Sequence, residues 1–322
     1  MSEELYYPPE SVSSMAHISS MEQYREMYER SINSPEEFWA EQAERFCWFK
    51  KWNQVRSFNY DVTKGNINIE WFRGGQCNIT SNCLDRHLGT RGEQTAILWE
   101  GNEPGENKKI TYKELHNEVC KFANVLKSHG VKKGDRISIY MPMVVELAVA
   151  MLACARVGAV HSIVFGGFSP TALADRIVDS GCTIVITTDG GFRGAKPVPI
   201  KANVDEAITL AEKQGVQINT CIIAQRVGDA IPVVIQKGRD FWWHEEMANA
   251  NSVCEPEVME SEDPLFTLYT SGSTGKPKGV QHSTAGYMIY TALTHKYIFD
   301  YHSGDIWWCT ADIGWVTGHS YI

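Results

Sequence analysis

The residues best suited to chemistry lie in one run, Thr270-Ser271-Gly272-Ser273-Thr274-Gly275-Lys276-Pro277-Lys278-Gly279. Thr270, Ser271, Ser273 and Thr274 offer hydroxyl donors, the glycines let backbone N–H groups approach a ligand, and Lys276 and Lys278 add positive charge. Such a bend suits a polyanion, above all a phosphate chain. The spacing excludes a Walker P-loop. Counted back from Gly275, the first glycine of G-x-x-x-x-G-K-[ST] falls at Thr270, and Pro277 stands where the metal-binding hydroxyl should be. A Gly/Ser/Thr run can also be a linker. This one leaves the apolar and aromatic Leu265-Phe266-Thr267-Leu268-Tyr269 and enters a Lys-Pro-Lys-Gly turn, which favours a strand emptying into an anion-binding loop.

Two more glycine-rich segments, Gly166-Gly167-Phe168-Ser169 and Asp189-Gly190-Gly191-Phe192-Arg193-Gly194-Ala195-Lys196, lack G-x-G-x-x-G, so a dinucleotide-binding reading fails. On pattern alone the second is equally a tight exit turn carrying solvated charges. His87, beside Asp85 and Arg86, reads as part of a structural hydrogen-bonding cluster. No Ser-His-Asp or Cys-His arrangement is discerned, and no metal-ligand set is assigned. Nine cysteines, an odd number without a C-x-x-C pair, point to a reducing, intracellular and cytoplasmic setting. A net charge of −9 argues against nucleic acid and anionic membrane as partners. The polar, acidic start is unlike a signal peptide, and the longest apolar run, Leu147 to Ala155, is too short to span a bilayer. A soluble protein is expected, its oligomeric state open.

The elements that must position these loops read as α/β. A Ser34-Pro35-Glu36-Glu37 helix start and the aromatics Trp39, Phe46, Trp48 and Trp52 suggest a cap over residues 1–109, packed on the main body. Thr111-Tyr112-Lys113-Glu114 is a capping box, followed by Leu115, Val119, Phe122 and Leu126 on one helical face. Strands are expected at 136–140, 159–165, 182–188 and 220–225. They alternate with helices at 144–157, 170–181 and 204–214, forming a first subdomain over 110–260. The phosphate loop opens a second, 261–322, with a helix near 286–296. Near-continuous apolar strands alternating with helices argue for a doubly wound, largely parallel sheet flanked by helices. Its ligands belong beyond the carboxyl ends of the strands. The aromatic-acidic stretch 238–246 reads as a packed surface helix, and Trp307 and Trp308 as core.

Tyr269-Thr270-Ser271-Gly272-Ser273-Thr274-Gly275-Lys276-Pro277-Lys278-Gly279 resembles the AMP-binding signature of the adenylate-forming (acyl-CoA synthetase) superfamily. The stretch from Glu70 to Leu88 resembles the N-terminal segment of acetyl-CoA synthetases and their short-chain relatives. The resemblance implies the N-terminal part of an adenylate-forming large domain, with ATP, acetate and coenzyme A as substrates and Mg2+ accompanying the nucleotide. It implies that residues 270–279 hold the β- and γ-phosphates. It also implies that Gly190–Lys196, with Arg193, Gly194, Ala195 and Lys196, meets the phosphates of coenzyme A. Ala195 stands where glycine is common and Lys196 where arginine is frequent, which keeps charge but gives up a bidentate fork. Asp305–Ile322 resembles the floor of the carboxylate pocket, with Trp315 and Val316 beside the acid and Thr317 at the thiol arm. The resemblance further implies more chain after Ile322, carrying adenine contacts and magnesium ligands, so that this stretch alone is expected to be inactive. A propionyl-type ligase and a nonenzymatic nucleotide-binding remnant remain the alternatives.

Overall fold

The computed structural model describes residues 6–270 and 275–322. Seven strands form one sheet: β1 (Arg136–Tyr140), β2 (Val160–Ile163), β3 (Ile184–Thr188), β4 (Thr220–Ala224), β5 (Asp240–Trp242), β6 (Pro264–Thr270) and β7 (Lys278–Ser283). Their spatial order is β5-β4-β3-β1-β2-β6-β7. The neighbours from β5 to β6 pair in parallel, and β7 runs antiparallel on the β6 edge. From β1 the chain steps to β2 on one side and then to β3 on the other, so the strand order reverses beside β1. That reversal opens a crevice at the carboxyl edge.

Both faces are covered. Ile137, Ile139, Ile184, Ile186 and Ile222 pack under helices α1 (Tyr112–Ser128) and α2 (Val145–Arg156). The alternate residues Tyr140, Val185, Cys221 and Ile223 pack under α3 (Pro170–Ser180) and α4 (Ile200–Glu212). Two apolar faces explain why these strands read as almost unbroken hydrophobic runs. Local signals fix the helix ends: the capping box at Thr111 and Glu114 forms in full, Ser169 caps α3 before Pro170, and Gly181 closes it in the left-handed region.

Three stretches depart from expectation. The glycine-rich 191–196 segment is the core of a small hairpin, Gly191–Arg193 against Lys196–Val198. Residues 240–242 form an edge strand, and only the short α5 (Trp243–Ala248) that follows is helical. Trp243 there stacks on Phe122 of α1, ring centroids 3.7 Å apart. Trp308 is not core: it is 81% exposed, because residues 305–310 pair with no strand, while Trp307 folds inward, donating from Nε1 to the Tyr321 carbonyl at 2.8 Å.

The N-terminal aromatic segment does pack on the body. Trp39, Phe46, Trp48, Trp52 and Trp71 surround a small core formed with Ala285, Met288 and Ile289 of α6 (Thr284–Tyr297). A second tie is ionic. The buried Arg156 guanidinium makes paired bonds to Asp85 at 2.8 and 2.9 Å, and its Nε donates to the Cys254 carbonyl. Burial opposes charge on Asp85, but the bonds from Arg156 and His116 outweigh it and hold the carboxyl well below its usual range. His116 in turn is raised to about 9, chiefly by its contact with Asp85 and then by Cys120. A raised histidine stabilises fully below its ordinary value near 6.5, and that contribution fades as pH climbs through about 9. Stability is therefore expected to fall by about 2 kcal/mol between pH 6.5 and 9 relative to His116→Asn, allowing for solvent screening of the part-exposed pair. Urea midpoints of the two proteins across that range check it; parallel pH curves would remove His116 from the account.

Candidate active site

Four features meet along the carboxyl edge of the sheet. Thr270 ends β6 there and is exposed; Ser271, Gly272, Ser273 and Thr274 lie outside the described residues. The return begins at Gly275, whose φ of +82° lies in the left-handed region that favours glycine. Lys276 is exposed, Pro277 is half-buried, and Lys278 and Gly279 open β7 opposite Thr270 and Tyr269. Behind them the Tyr269 hydroxyl donates to Asp179 at 2.7 Å and Arg176 lies over the ring, so α3 braces the strand that carries the loop. Burial, reinforced by Asp179, raises the Tyr269 phenol and keeps it neutral.

The second feature is the hairpin at 191–198. Arg193 and Lys196 are cross-strand partners and both are exposed, with Gly194 and Ala195 at the tip. Asn102 donates to the Gly194 carbonyl at 3.2 Å. Arg226, paired with Glu106, lies over the rings of Phe192 and Trp99. A pocket of about 330 Å³ opens between Asn102, Glu106, Phe192, Ala195 and Arg226. Asp189, 1% exposed, roots the hairpin: its carboxylate accepts from the N–H groups of Gly190, Arg226, Val227 and Gly228.

The third feature, the β2 exit at Phe165–Phe168, links the hairpin to the fourth, residues 312–317. A Cβ added at Gly191 would stand 3.6 Å from Pro142, and one at Gly166 3.2 Å from the Met141 carbonyl oxygen. On its other side Phe165 packs on Trp315, centroids 5.1 Å apart. Asp312 shapes that last segment, accepting the Gly314 N–H at 2.7 Å on its side chain and the Trp315 N–H at 3.0 Å on its carbonyl. Burial raises the Asp312 carboxyl. Trp315, Val316 and Thr317 start helix α7 (Val316–Tyr321) with exposed side chains, while Gly318 and His319 turn inward.

Among the described residues, then, the fold brings the residues singled out from sequence to one edge. Sequence reasoning missed the supports: Asp189, Arg226, Asp312 and the buried His319. An acid between a strand and Gly-Gly was the only local sign of Asp189. Asp312 acts within its own turn, through Gly314 and Trp315; Arg226 and His319 show only through contacts with chain distant in sequence.

A family model described as AMP-binding enzyme matches residues 84–322. The chain belongs to that family. A second model, acetyl-coenzyme A synthetase N-terminus, matches residues 24–83. Curated relatives of this AMP-binding chain include the acetyl-coenzyme A synthetases of Rhizobium rhizogenes and Desulfatibacillum aliphaticivorans, each 55% identical over the whole chain and over 48% of the relative. That of Sinorhizobium fredii is 57% identical over 93% of the chain and 45% of its own length. The chain thus spans about half the length of the curated relatives it matches.

Proposed function

We propose that the chain supplies the N-terminal half of an AMP-forming acetate–CoA ligase, cytoplasmic and acting on ATP, acetate and coenzyme A. The observation that carries this reading is the run from Thr270 to Gly279, joining β6 to β7 on the same sheet edge as the 191–198 hairpin and residues 312–317. Its likeness to acetyl-coenzyme A synthetases along its whole length supports the choice of acid.

In this reading the hydroxyls of Thr270, Ser271, Ser273 and Thr274, the amides near Gly272 and Gly275, and Lys276 and Lys278 grip the β- and γ-phosphates. An acetate oxygen then bonds to the α-phosphorus and pyrophosphate leaves. The coenzyme A sulfur next bonds to the acetyl carbon, and AMP leaves with the anhydride oxygen. Arg193 and Lys196, flanking Gly194 and Ala195, face the coenzyme A phosphates. Trp315 and Val316 narrow the space beside the methyl group, and Thr317 meets the thiol arm. The protein's contribution is position and charge neutralisation, not a covalent nucleophile. Magnesium would arrive with the nucleotide, and the run 270–279 itself holds no carboxylate to bind it.

Two measurements test the reading. In the full-length protein, acetate should yield AMP and pyrophosphate in preference to propionate or butyrate; no AMP with any of them removes the ligase assignment. By calorimetry on the same protein, Lys276→Ala with Lys278→Ala should weaken ATP–Mg binding roughly 10- to 100-fold, the loss of two charge-assisted contacts. Unchanged affinity would show that the two lysines do not grip the phosphates.

A further inference from the structure

Helix α7 has only six residues, and its first two side chains, Val316 and Thr317, are exposed. So short a helix has no stability of its own and stands where its buried groups hold it. The first of these is the imidazole of His319, 6% exposed. Its Nδ1 lies 2.7 Å from the Tyr287 hydroxyl of α6, and its Nε2 lies 2.8 Å from Nε2 of His161 in β2. The ring also stacks on Phe266 of β6, centroids 3.8 Å apart. One imidazole therefore ties α7 to two strands and a helix. The backbone N–H of His319 donates to the Trp315 carbonyl at 2.9 Å, passing the constraint straight to the residues beside the acid.

Counting protons makes the chain directional. The Tyr287 hydroxyl donates to Ser320 at 3.0 Å, so its oxygen accepts the His319 Nδ1 proton. His319 Nε2 is then a bare lone pair and accepts the Nε2 proton of His161. That leaves His161 Nδ1, buried and without a partner among the described residues, as a bare nitrogen and not an orphaned N–H. Burial depresses both imidazoles, His161 to about 3, so the pair stays neutral at physiological pH.

We propose that His319 is a positioning residue for the carboxylate pocket. Held by Tyr287 and His161 on its two ring nitrogens, it sets where Trp315, Val316 and Thr317 stand, and so sets the fit of a short acid. The proposal rests on the ligase reading above.

The test uses the full-length protein. His319→Phe keeps a flat ring against Phe266 and removes both ring hydrogen bonds. It should raise the acetate KM about 10-fold or more, narrow the preference for acetate over propionate, and leave the ATP KM within about 2-fold. His319→Gln, which can still donate one bond and accept another, should recover much of the acetate KM. An unchanged acetate KM in folded His319→Phe overturns the proposal. So does a parallel rise in both KM values with a lowered melting temperature and no rescue by Gln, the mark of a purely structural role. If His319→Phe does not fold, Tyr287→Phe removes one bond and must show the same split, smaller; equal KM values there also overturn it. Failure of the unaltered protein to activate any carboxylate would instead remove the ligase reading, so the two failures are distinguishable.

Discussion

Replacing Asp189 by Ala is expected to lower stability by about 3–5 kcal/mol and to loosen the 191–198 hairpin ahead of the rest of the sheet. The carboxylate is almost wholly buried and takes the N–H groups of Gly190, Arg226, Val227 and Gly228 at 2.7 to 3.2 Å. Truncation leaves four donors facing a void, each having given up water on folding. Three of them lie in the Arg226–Gly228 turn, whose Arg226 side chain supports Phe192 of the hairpin. Asp189→Asn keeps one acceptor oxygen but turns an amide N–H2 toward another donor, so it should fall between wild type and Ala. Urea unfolding gives the stability loss, and amide exchange at 191–198 and 226–228 gives its location. A loss below about 1 kcal/mol, or exchange rising uniformly across the sheet, would mean that water replaces the carboxylate at little cost. On the ligase reading, the folded fraction of Asp189→Asn should also show a raised KM for coenzyme A.

What the sequence revealed and what it hid separate by the range of the forces involved. Helix α1 was legible because its capping box and its four-three-four apolar spacing are local. Strands β1, β3 and β4 were legible because a strand buried on both faces is apolar throughout. Strand β7 was not: Lys278-Gly279-Val280-Gln281-His282-Ser283 is a polar edge strand whose partner, β6, supplies all its order. The start of α4 was set late because Lys201 looks like a surface residue. It is 2% exposed, its ammonium bonded to Asp205 at 2.7 Å and paired with Asp240 at 2.8 Å. The loops of the candidate site were legible as chemistry, since hydroxyls, glycines and cations in series are unusual. The supports beneath them were not, since His161 and His319 lie 158 residues apart and meet only through the sheet.

Gly318→Ala should be nearly as damaging as the loss of Asp189, at about 3 kcal/mol or more, for a reason invisible in its sequence context. The residue is not among those with positive φ, so the cost is not conformational. It is contact: a Cβ there would stand 2.2 Å from the Asp312 carbonyl oxygen, 2.5 Å from its carbon and 2.6 Å from the Ala311 oxygen. All three are backbone atoms, so no rotamer change relieves the overlap. Moving Asp312 breaks its bond to the Gly314 N–H, and Gly314 itself has the Phe165 backbone 3.0 Å from where its Cβ would be. Moving α7 instead pulls His319 from His161 and Tyr287. Either route displaces Trp315 and Val316, so on the ligase reading the acetate KM should rise even where the variant folds. Gly286→Ala in α6 is the matched control: the nearest atom is 3.8 Å away, and helix propensity should make it neutral or stabilising by up to about 1 kcal/mol. Urea midpoints of the two variants side by side decide the point. If Gly318→Ala unfolds within about 1 kcal/mol of wild type, the 312–319 turn is softer than its packing says, and it could not fix the pocket floor as described.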